Sequence, residues 1–309
     1  MRLGIIDIGT VTTRLLICDV DPSGRETTLC KRAIITHLGE GLRETGCLSP
    51  AAMERVVEAV RGYKHEMECL APIDRRILVA TSASRDASNS DEFATLLAAE
   101  GFQLNVIPGT EEARLSFLGA ASAFPHMSGP ILVVDVGGGS TEVVLGTIEG
   151  GHARIVCRHS FDVGCRRMTD AFLESDPPSE AQMDATREEA RRQFAPFIAA
   201  LPTQPAHVIA VAGTATSLVS IHERMEVYDS TRVHGSVMSV QQLDAICARL
   251  AALPLAEREQ VVGLQPDRAG VIVAGMLILQ SLFELLETRD FTVSESDILD
   301  GLALDSVRS

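Results

Sequence analysis

The residues best suited to chemistry lie in the stretch ILVVDVGGGSTEVVL, residues 131–145. Asp135 ends an apolar run, where burying a carboxylate is costly unless a metal ion or hydrogen-bond donors pair with it. The three glycines after it can adopt positive φ, and without a Cβ they let backbone N–H groups approach an anion. The stretch therefore predicts a phosphate-binding hairpin with Asp135 placed for a divalent ion. The alternative is an ordinary glycine-rich turn with a solvated aspartate.

The N-terminus carries a second copy of this pattern. Two aliphatic residues, an aspartate, an aliphatic residue and a glycine end at Gly9, and the same order ends at Gly137. A repeat at this distance predicts two related halves, each opening on a strand–turn–strand unit. The threonines after Gly9 supply hydroxyl groups and Arg14 supplies a cationic fork. Two such loops facing each other across a cleft would bind one polyphosphate chain.

Arg85 follows a predicted strand at residues 76–81 and a run of small polar residues. A guanidinium at that place can clamp a phosphate with two hydrogen bonds. The alternative is an ordinary salt bridge from Arg85 to Asp86 or Asp91, and the spacing favours neither interpretation.

Glu111 and Glu112 lie in the first turn of a helix predicted at residues 111–123, with Thr110 as its cap. Acidic residues there suit the helix dipole, which is the simpler interpretation. The other interpretation is a general base directed at water in the cleft. The two interpretations require opposite pKa shifts. The helix dipole lowers the pKa of a carboxylate, whereas a general base that works near neutral pH needs a raised pKa.

A third candidate anion site follows the strand predicted at residues 206–212. Gly213 and Thr214 come directly after it and open a helix. The N-terminus of a helix after a strand is a place that can receive an anion or a ribose, although a Gly-Thr pair alone is a weak signal.

Composition restricts the remaining possibilities. The 309 residues are enough for two domains, and the net charge of −15 with a pI near 5.0 disfavours nucleic-acid binding. The seven cysteines contain no Cys-x-x-Cys pair, which indicates reduced thiols. The longest apolar run, residues 269–279, is shorter than the roughly 18 residues that cross a bilayer. Without a cleavable signal pattern, we expect a cytoplasmic protein with no membrane contact.

The intervening segments read as an alternation of strands and helices. Ser49 and Pro50 predict the start of a helix over residues 51–70, and Ser179 predicts the cap of a long helix over residues 180–201. Further strands are expected at residues 29–38, 102–107, 154–161 and 291–293. Further helices are expected at residues 91–100, 243–253, 268–286 and 297–307. Residues 123–130 are rich in proline and are the best candidate for a hinge.

Taken in order, these segments resemble the exopolyphosphatase / guanosine pentaphosphate phosphohydrolase (Ppx/GppA) family. The resemblance covers residues 1 to about 305. The segments that carry it are IIDIGTVTTRLLI, LGEGL, ATSASRDASNSDEF, IPGTEEARLSFLGA, VVDVGGGSTEVVLG, VAGTATSL and DRAGVIVAGMLIL. It implies an α/β fold with two actin-like domains around a central cleft, as in the actin, hexokinase and Hsp70 group. We expect domains at residues 1–125 and 126–297, with a C-terminal helix at about residues 298–309 packing back on the first.

The resemblance also implies roles for individual residues. Glu112 would be the catalytic base and Arg85 would hold the substrate chain. Asp135 and Glu142 would hold Mg²⁺, or another divalent ion. Gly213 and Thr214 would lie on the nucleotide side of the cleft. The phosphate-binding set would be Asp7, Gly9, Thr10, Thr12, Arg14, Gly137, Gly138, Gly139, Ser140 and Thr141.

The sequence departs from the family pattern at several positions. Val11 stands where the family has an amide, His37 stands where it tends to have an arginine, and Leu299-Asp300 replaces Arg-Glu. The extra C-terminal domains of the long members are also expected to be missing. The implied activity is hydrolysis of a terminal phosphoanhydride of polyphosphate or guanosine pentaphosphate, with a small polyanion as partner and a homodimer as a family expectation. The alternatives are a non-catalytic sensor of guanosine tetra- or pentaphosphate and a phosphotransferase.

Overall fold

The computed structural model describes residues 1–22, 24–149 and 152–307. These residues form two sheets surrounded by helices. The strands are β1 (Arg2–Ile8), β2 (Thr12–Val20), β3 (Glu26–Ile35), β4 (Arg75–Ala80), β5 (Asn105–Val106), β6 (Ile131–Val136), β7 (Thr141–Glu149), β8 (His152–Phe161), β9 (His207–Val211), β10 (Val237–Ser239) and β11 (Asp290–Val293).

Helices occupy most of the remaining described residues. The α-helices are α1 (Leu42–Thr45), α2 (Pro50–Cys69), α3 (Ser82–Asp86), α4 (Ser90–Ala99), α5 (Gly109–Ser122), α6 (Cys165–Phe172), α7 (Glu180–Ala199), α8 (Ala212–His222), α9 (Ser230–Val233), α10 (Val240–Ala251), α11 (Leu255–Arg258), α12 (Ile272–Leu286) and α13 (Ile298–Asp305). A 3₁₀ turn, Pro266–Arg268, precedes α12. Within the described residues, no helix combines the length and the apolarity needed to cross a membrane.

The two sheets repeat one topology. The first has the order β3-β2-β1-β4-β5, and the second, read from its opposite edge, has the order β8-β7-β6-β9-β11-β10. In the first sheet, β1 is antiparallel to β2 and parallel to β4. In the second sheet, β6 is likewise antiparallel to β7 and parallel to β9. The repeat predicted from the two Asp-x-Gly patterns is therefore confirmed as a repeat of structure.

The apolar runs form strands because both faces of the sheets are covered. Every residue of β6 is buried, and so are the last six residues of β1. The predicted helix starts at Ser49 and Ser179 are confirmed. The Ser49 side chain accepts from the Ala52 N–H, and Ser179 forms a capping box with Gln182.

Three expectations about elements were wrong. Thr110 does not cap α5, because the helix already begins at Gly109 and the Pro108 carbonyl accepts the N–H groups of Glu111 and Glu112. The strand expected over residues 102–107 is reduced to β5, since only Asn105 and Val106 pair with β4. The turn α3 was not foreseen, because its small polar residues carry no helical hydrophobic period.

Helices α5 and α13 fill the space between the sheets. Ala113 and Phe117 of α5 pack on Ile131, Val133 and Val144 of the second sheet. Leu299 and Ala303 of α13 pack on β1 and β2 of the first sheet. The two helices touch each other so closely that a Cβ on Gly301 would lie 2.0 Å from the Leu115 carbonyl oxygen.

The chain division at residues 125 and 126 stays a prediction, because α5 precedes it yet lies on the second sheet. Residues 308 and 309 of the expected last helix fall outside the described residues.

Candidate active site between the two sheets

A cavity of about 390 Å³ lies between the two halves of the molecule. Both turns that follow the Asp-x-Gly patterns contribute to its wall, as the repeat predicts. The structure brings together these predicted residues along its lining: Asp7, Gly9, Thr10, Thr12, Arg14, Glu112, Asp135, Gly137, Gly138, Gly139, Ser140 and Gly213. Four others do not line it, and these are Arg85, Thr141, Glu142 and Thr214.

The two turns have the same backbone hydrogen bond. The Gly9 N–H donates to the Thr12 carbonyl at 2.9 Å, and the Gly137 N–H donates to the Ser140 carbonyl at 3.0 Å. A tight turn of this kind leaves its remaining N–H groups free to face an anion. Each half of the chain therefore presents one turn of the same form to the cavity.

The glycines of the second turn are required for a different reason from the one expected. None of Gly137, Gly138 and Gly139 has a positive φ. Instead, a Cβ on Gly138 would lie 2.8 Å from Cβ of Thr10, and a Cβ on Gly139 would lie 2.4 Å from Oγ of Ser82. Gly138 and Gly139 are therefore glycines because the first turn and the start of α3 lie in close contact with them. A Cβ on Gly137, in contrast, would meet only the Ser140 carbonyl oxygen of its own turn, at 3.1 Å.

In the first half, a single guanidinium joins two buried carboxylates. Arg14 donates to Oδ2 of Asp7 from Nη2 at 2.6 Å and from Nε at 3.0 Å, and its Nη1 donates to Asp297. Burial raises the pKa of Asp7, and Arg14 opposes that rise. Burial also acts to raise the pKa of Asp297, but Arg14 together with Lys31 outweighs burial and lowers it. Sequence reasoning missed Asp297, although its position just before α13 is a cap signal.

In the second half, the corresponding carboxylates have no arginine between them. Asp135 and Glu142 lie directly opposite each other on β6 and β7. In addition to burial, Glu112 from α5 raises the pKa of Glu142, and Asp135 raises the pKa of Glu112. Burial raises the pKa of Glu112 to about 7, against the effect of Arg85. Burial likewise raises the pKa of Asp135 to about 6, although Ser116 donates to Asp135 Oδ2 at 2.6 Å and opposes the rise. The pKa of Glu142 lies well above its usual value because of burial and the two neighbouring carboxylates.

Arg85 and Glu142 support the cavity from outside its lining. Arg85 Nη1 donates to Oε2 of Glu112 at 2.7 Å and to the Ile107 carbonyl at 3.0 Å. The alternative partner Asp86 pairs with Arg167 instead. Glu142 accepts from Ser160 at 2.7 Å through Oε1, whereas its Oε2 is buried without a hydrogen-bond partner. Arg85 is therefore positioned to orient Glu112, and the charge of Glu112 in turn adds to burial in raising the pKa of Glu142.

The donor set of the second half fits a hard divalent cation. Its groups are carboxylate oxygens, which Mg²⁺ prefers. Oε2 of Glu142 is buried without a hydrogen-bond partner, and burial raises the pKa of Asp135, so a bound cation would stabilise the charged form of both groups. Among the described residues there is no group of three or more His, Cys, Asp or Glu side chains arranged around one point. Mg²⁺ does not require one, since it usually binds one or two carboxylates and completes its shell with water and substrate phosphates.

Two of the four threonines in the predicted sets, Thr141 and Thr214, have their side chains directed away from the cavity. The Thr141 hydroxyl donates to the Val163 carbonyl. The Thr214 side chain packs against Gly275, where a Cβ would lie 2.3 Å from Oγ1 of Thr214. Gly213 does reach the cavity, where it lies against the guanidinium of Arg268. Of the two residues predicted for the third anion site, only Gly213 lines the cavity.

Arg268 is a candidate ligand-binding residue that sequence reasoning missed. It is 9% exposed on the cavity wall. Within the described part of the chain no ion pair holds it, and its Nη2 makes only a 3.5 Å contact with Gln265 Oε1. Its Nε has no partner, and burial lowers its pKa. The other buried arginine, Arg258, instead donates to three backbone carbonyls. A buried guanidinium with unused donors is suited to an anion. The signal available in the sequence was an arginine just before the apolar helix α12.

Comparison with known proteins identifies the family of this chain. The model of the Ppx/GppA phosphatase family matches residues 16–309, so the chain belongs to that family.

Its relatives include Exopolyphosphatase 2 of Mycobacterium tuberculosis, which is 36% identical with 98% of each chain covered. A Guanosine-5'-triphosphate,3'-diphosphate pyrophosphatase of Vibrio atlanticus is 29% identical, covering 98% of this chain and 58% of that protein. The crystal structure of an exopolyphosphatase from Cytophaga hutchinsonii superposes with a TM-score of 0.90 at 26% identity, covering 100% of this chain and 98% of that one. The predicted fold class is confirmed as two α/β halves around a cleft, and the actin-like relationship stays a prediction.

Proposed function

We propose that this protein is a Mg²⁺-dependent phosphatase that removes the terminal phosphoryl group of inorganic polyphosphate or guanosine pentaphosphate as orthophosphate. Membership of the Ppx/GppA phosphatase family supports the reaction class, and the names of its relatives support both substrates. The observation that carries the proposal is Glu112, a buried carboxylate with a pKa of about 7 on the wall of the cavity that the two turns also line.

In this proposal Glu112 takes the proton from the attacking water. A general base is most effective when its pKa lies near the working pH, and burial gives Glu112 that value. Arg85 fixes the carboxylate by its hydrogen bond to Oε2, which leaves Oε1 for water. The negative charge that builds up on the phosphoryl oxygens is stabilised by donors aimed at it.

The two glycine turns and Arg268 hold the substrate at opposite parts of the cavity. The turns after Gly9 and Gly137 supply N–H groups for the terminal phosphoryl group. Arg268, beside Gly213, takes an anionic group further along the substrate, either the next phosphates of a chain or those of a nucleotide. Asp135 and Glu142 would hold Mg²⁺. When bound, the ion supplies charge neutralisation of the phosphoryl oxygens.

A cytoplasmic location is part of the same proposal. All seven cysteines are free thiols, and Cys69 is exposed. Free thiols are typical of compartments kept reducing by cellular thiol systems.

Orthophosphate release tests the proposal. The substrates are triphosphate, long-chain polyphosphate and guanosine pentaphosphate, each with Mg²⁺ and with a chelator. We expect release from at least one of them that falls about 10²- to 10⁴-fold in Glu112→Gln, which is the usual contribution of a general base. The matched control is Glu111→Gln, because Glu111 lies on the same turn but pairs with Arg114 at 2.7 Å outside the cavity. Release that survives in Glu112→Gln would remove Glu112 from this role. Nucleotide binding without release would identify a sensor.

A further inference from the structure

A second cavity, of about 230 Å³, lies on the other side of the two glycine turns. Thr10, Ser82 and Gly139 line both this cavity and the first one, so they form the wall between the two. The remaining lining comes from both halves of the molecule, including the segment after β3 and the start of α6. The second cavity is therefore next to the place where the terminal phosphoryl group would lie.

The charged residues of the second cavity are mostly cationic. Three arginines and two aspartates line it, although the chain as a whole has a net charge of −15. Asp86 pairs with Arg167, and Asp170 pairs with Arg166 at 2.9 Å. Arg43 is left over: within the described residues it forms no ion pair, and its Nη1 has only a 3.4 Å contact with the Asp170 carbonyl. An arginine with unused donors in a concave site is suited to an oxyanion.

An unpartnered hydroxyl on the shared wall is a second, independent sign of a ligand. The side chain of Thr10 is more than nine-tenths buried, and its Oγ1 makes no hydrogen bond. A buried hydroxyl without a partner is unfavourable, and a bound oxygen acceptor would satisfy it. Gly139 packs directly against this hydroxyl, since a Cβ on Gly139 would lie 2.7 Å from Oγ1 of Thr10.

We propose that the second cavity is an anion site that binds a phosphate group through Arg43, Arg166 and the Thr10 hydroxyl. The identity of its natural ligand rests on the proposed function, which supplies two sources of the same chemistry. One is the orthophosphate released at Glu112. The other is a phosphoryl group of the polyphosphate chain beyond the one being cleaved.

The binding test does not depend on catalysis. Crystals are soaked in tungstate, a tetrahedral oxyanion whose position is visible by anomalous scattering. We expect a peak in the second cavity next to Arg43, which is lost in Arg43→Gln and in the double variant Arg43→Gln/Arg166→Gln. The single variant breaks no ion pair, so it keeps the site folded. The matched control is Arg154→Gln, which removes an exposed arginine whose Glu149 partner is 3.8 Å away. A peak that is missing from the wild type, or that persists unchanged in both cavity variants, overturns the proposal.

Kinetic measurements on Arg43→Gln then distinguish the two sources. If the cavity takes released orthophosphate, the inhibition constant of orthophosphate rises about tenfold, the loss expected for one charge-assisted hydrogen bond, and KM for triphosphate is unchanged. If it takes the chain, KM rises for long polyphosphate and is unchanged for triphosphate. Unchanged values of all three constants contradict the site as a functional one. Failure of the proposed function is a separate result, because it abolishes phosphate release in the wild type while tungstate binding remains measurable.

Discussion

In the first hairpin, Asp7 of β1 lies opposite Arg14 of β2, and in the second hairpin Asp135 of β6 lies opposite Glu142 of β7. The backbone is the same in both, down to the hydrogen bond that closes the turn. The side-chain chemistry differs, because the first hairpin supplies a cation for its carboxylate and the second supplies another carboxylate. The carboxylate of the first hairpin therefore has a cation of the protein within hydrogen-bond distance, although burial still raises its pKa. The carboxylates of the second hairpin are instead left to protons or a bound cation.

Removing the cation of the first hairpin is the strongest way to break this comparison. Arg14→Met leaves Asp7 and Asp297, which are 3% and 6% exposed, without their shared partner. Breaking a buried ion pair in this way costs about 3–5 kcal/mol of unfolding free energy, and urea denaturation measures it. Arg32→Met is the control, since Arg32 is on the neighbouring strand with its side chain 55% exposed and pairs with Glu66. We expect a loss below about 1 kcal/mol there. Equal losses in the two variants would refute the role of Arg14.

The pH dependence of stability sharpens the comparison. As pH rises, the carboxyl groups beside the second hairpin lower the stability of the folded state, whereas Asp297, which pairs with Arg14, raises it. Glu112 and Asp135 have pKa values of about 7 and about 6 in the folded state, above those of the unfolded chain. The pKa of Asp7 in the first hairpin is raised as well, so at all three groups the folded state holds more protons. Without a divalent ion, stability falls as pH rises from about 4 to 7, by at most about 1.4 kcal/mol per pH unit for each of these groups. The pKa of Asp297 is lowered, so its contribution is lost as pH falls through its folded pKa.

Denaturation across that pH range, with a chelator present, measures both effects. Glu142→Gln removes a carboxyl group whose own pKa lies well above its usual value, so it makes the loss of stability between pH 4 and 7 smaller. Should the slope in Glu142→Gln match that of the wild type, the second hairpin does not hold the uncompensated charge.

Features that depend on neighbouring residues, the hairpins and the helix starts, could be predicted from the sequence. Contacts between residues far apart in the chain could not. The Asp-x-Gly patterns and the cap at Ser179 are written within a few residues, so the hairpins and helix starts followed from them. Asp297 meets Arg14 across 283 positions of sequence, and nothing local indicates that pairing. The reason for Gly138 and Gly139 was also hidden, because the atoms that exclude a Cβ belong to Thr10 and Ser82.

Ser116 provides the smallest and most local test. It is buried one turn after Glu112 on α5, and its hydroxyl donates to Asp135 Oδ2 at 2.6 Å. Because this bond opposes the rise in the pKa of Asp135, Ser116→Ala should raise that pKa further. We expect the pH at which Mg²⁺ affinity is half-maximal to move upward by less than about one pH unit. Ser116→Thr, which keeps the hydroxyl, should restore the wild-type midpoint. A midpoint that is the same in all three proteins would mean that Ser116 serves packing alone.

Proton release on Mg²⁺ binding tests the central claim most directly. If the carboxylates of the second hairpin hold protons until a divalent ion replaces them, binding must expel protons. Calorimetric titration of Mg²⁺ at pH 6, in two buffers of different ionisation enthalpy, counts the protons released. We predict release of about one proton or more in the wild type and in Glu111→Gln, and both weaker binding and smaller release in Glu142→Gln. Mg²⁺ binding without proton release, and with an affinity unchanged in Glu142→Gln, would contradict the account.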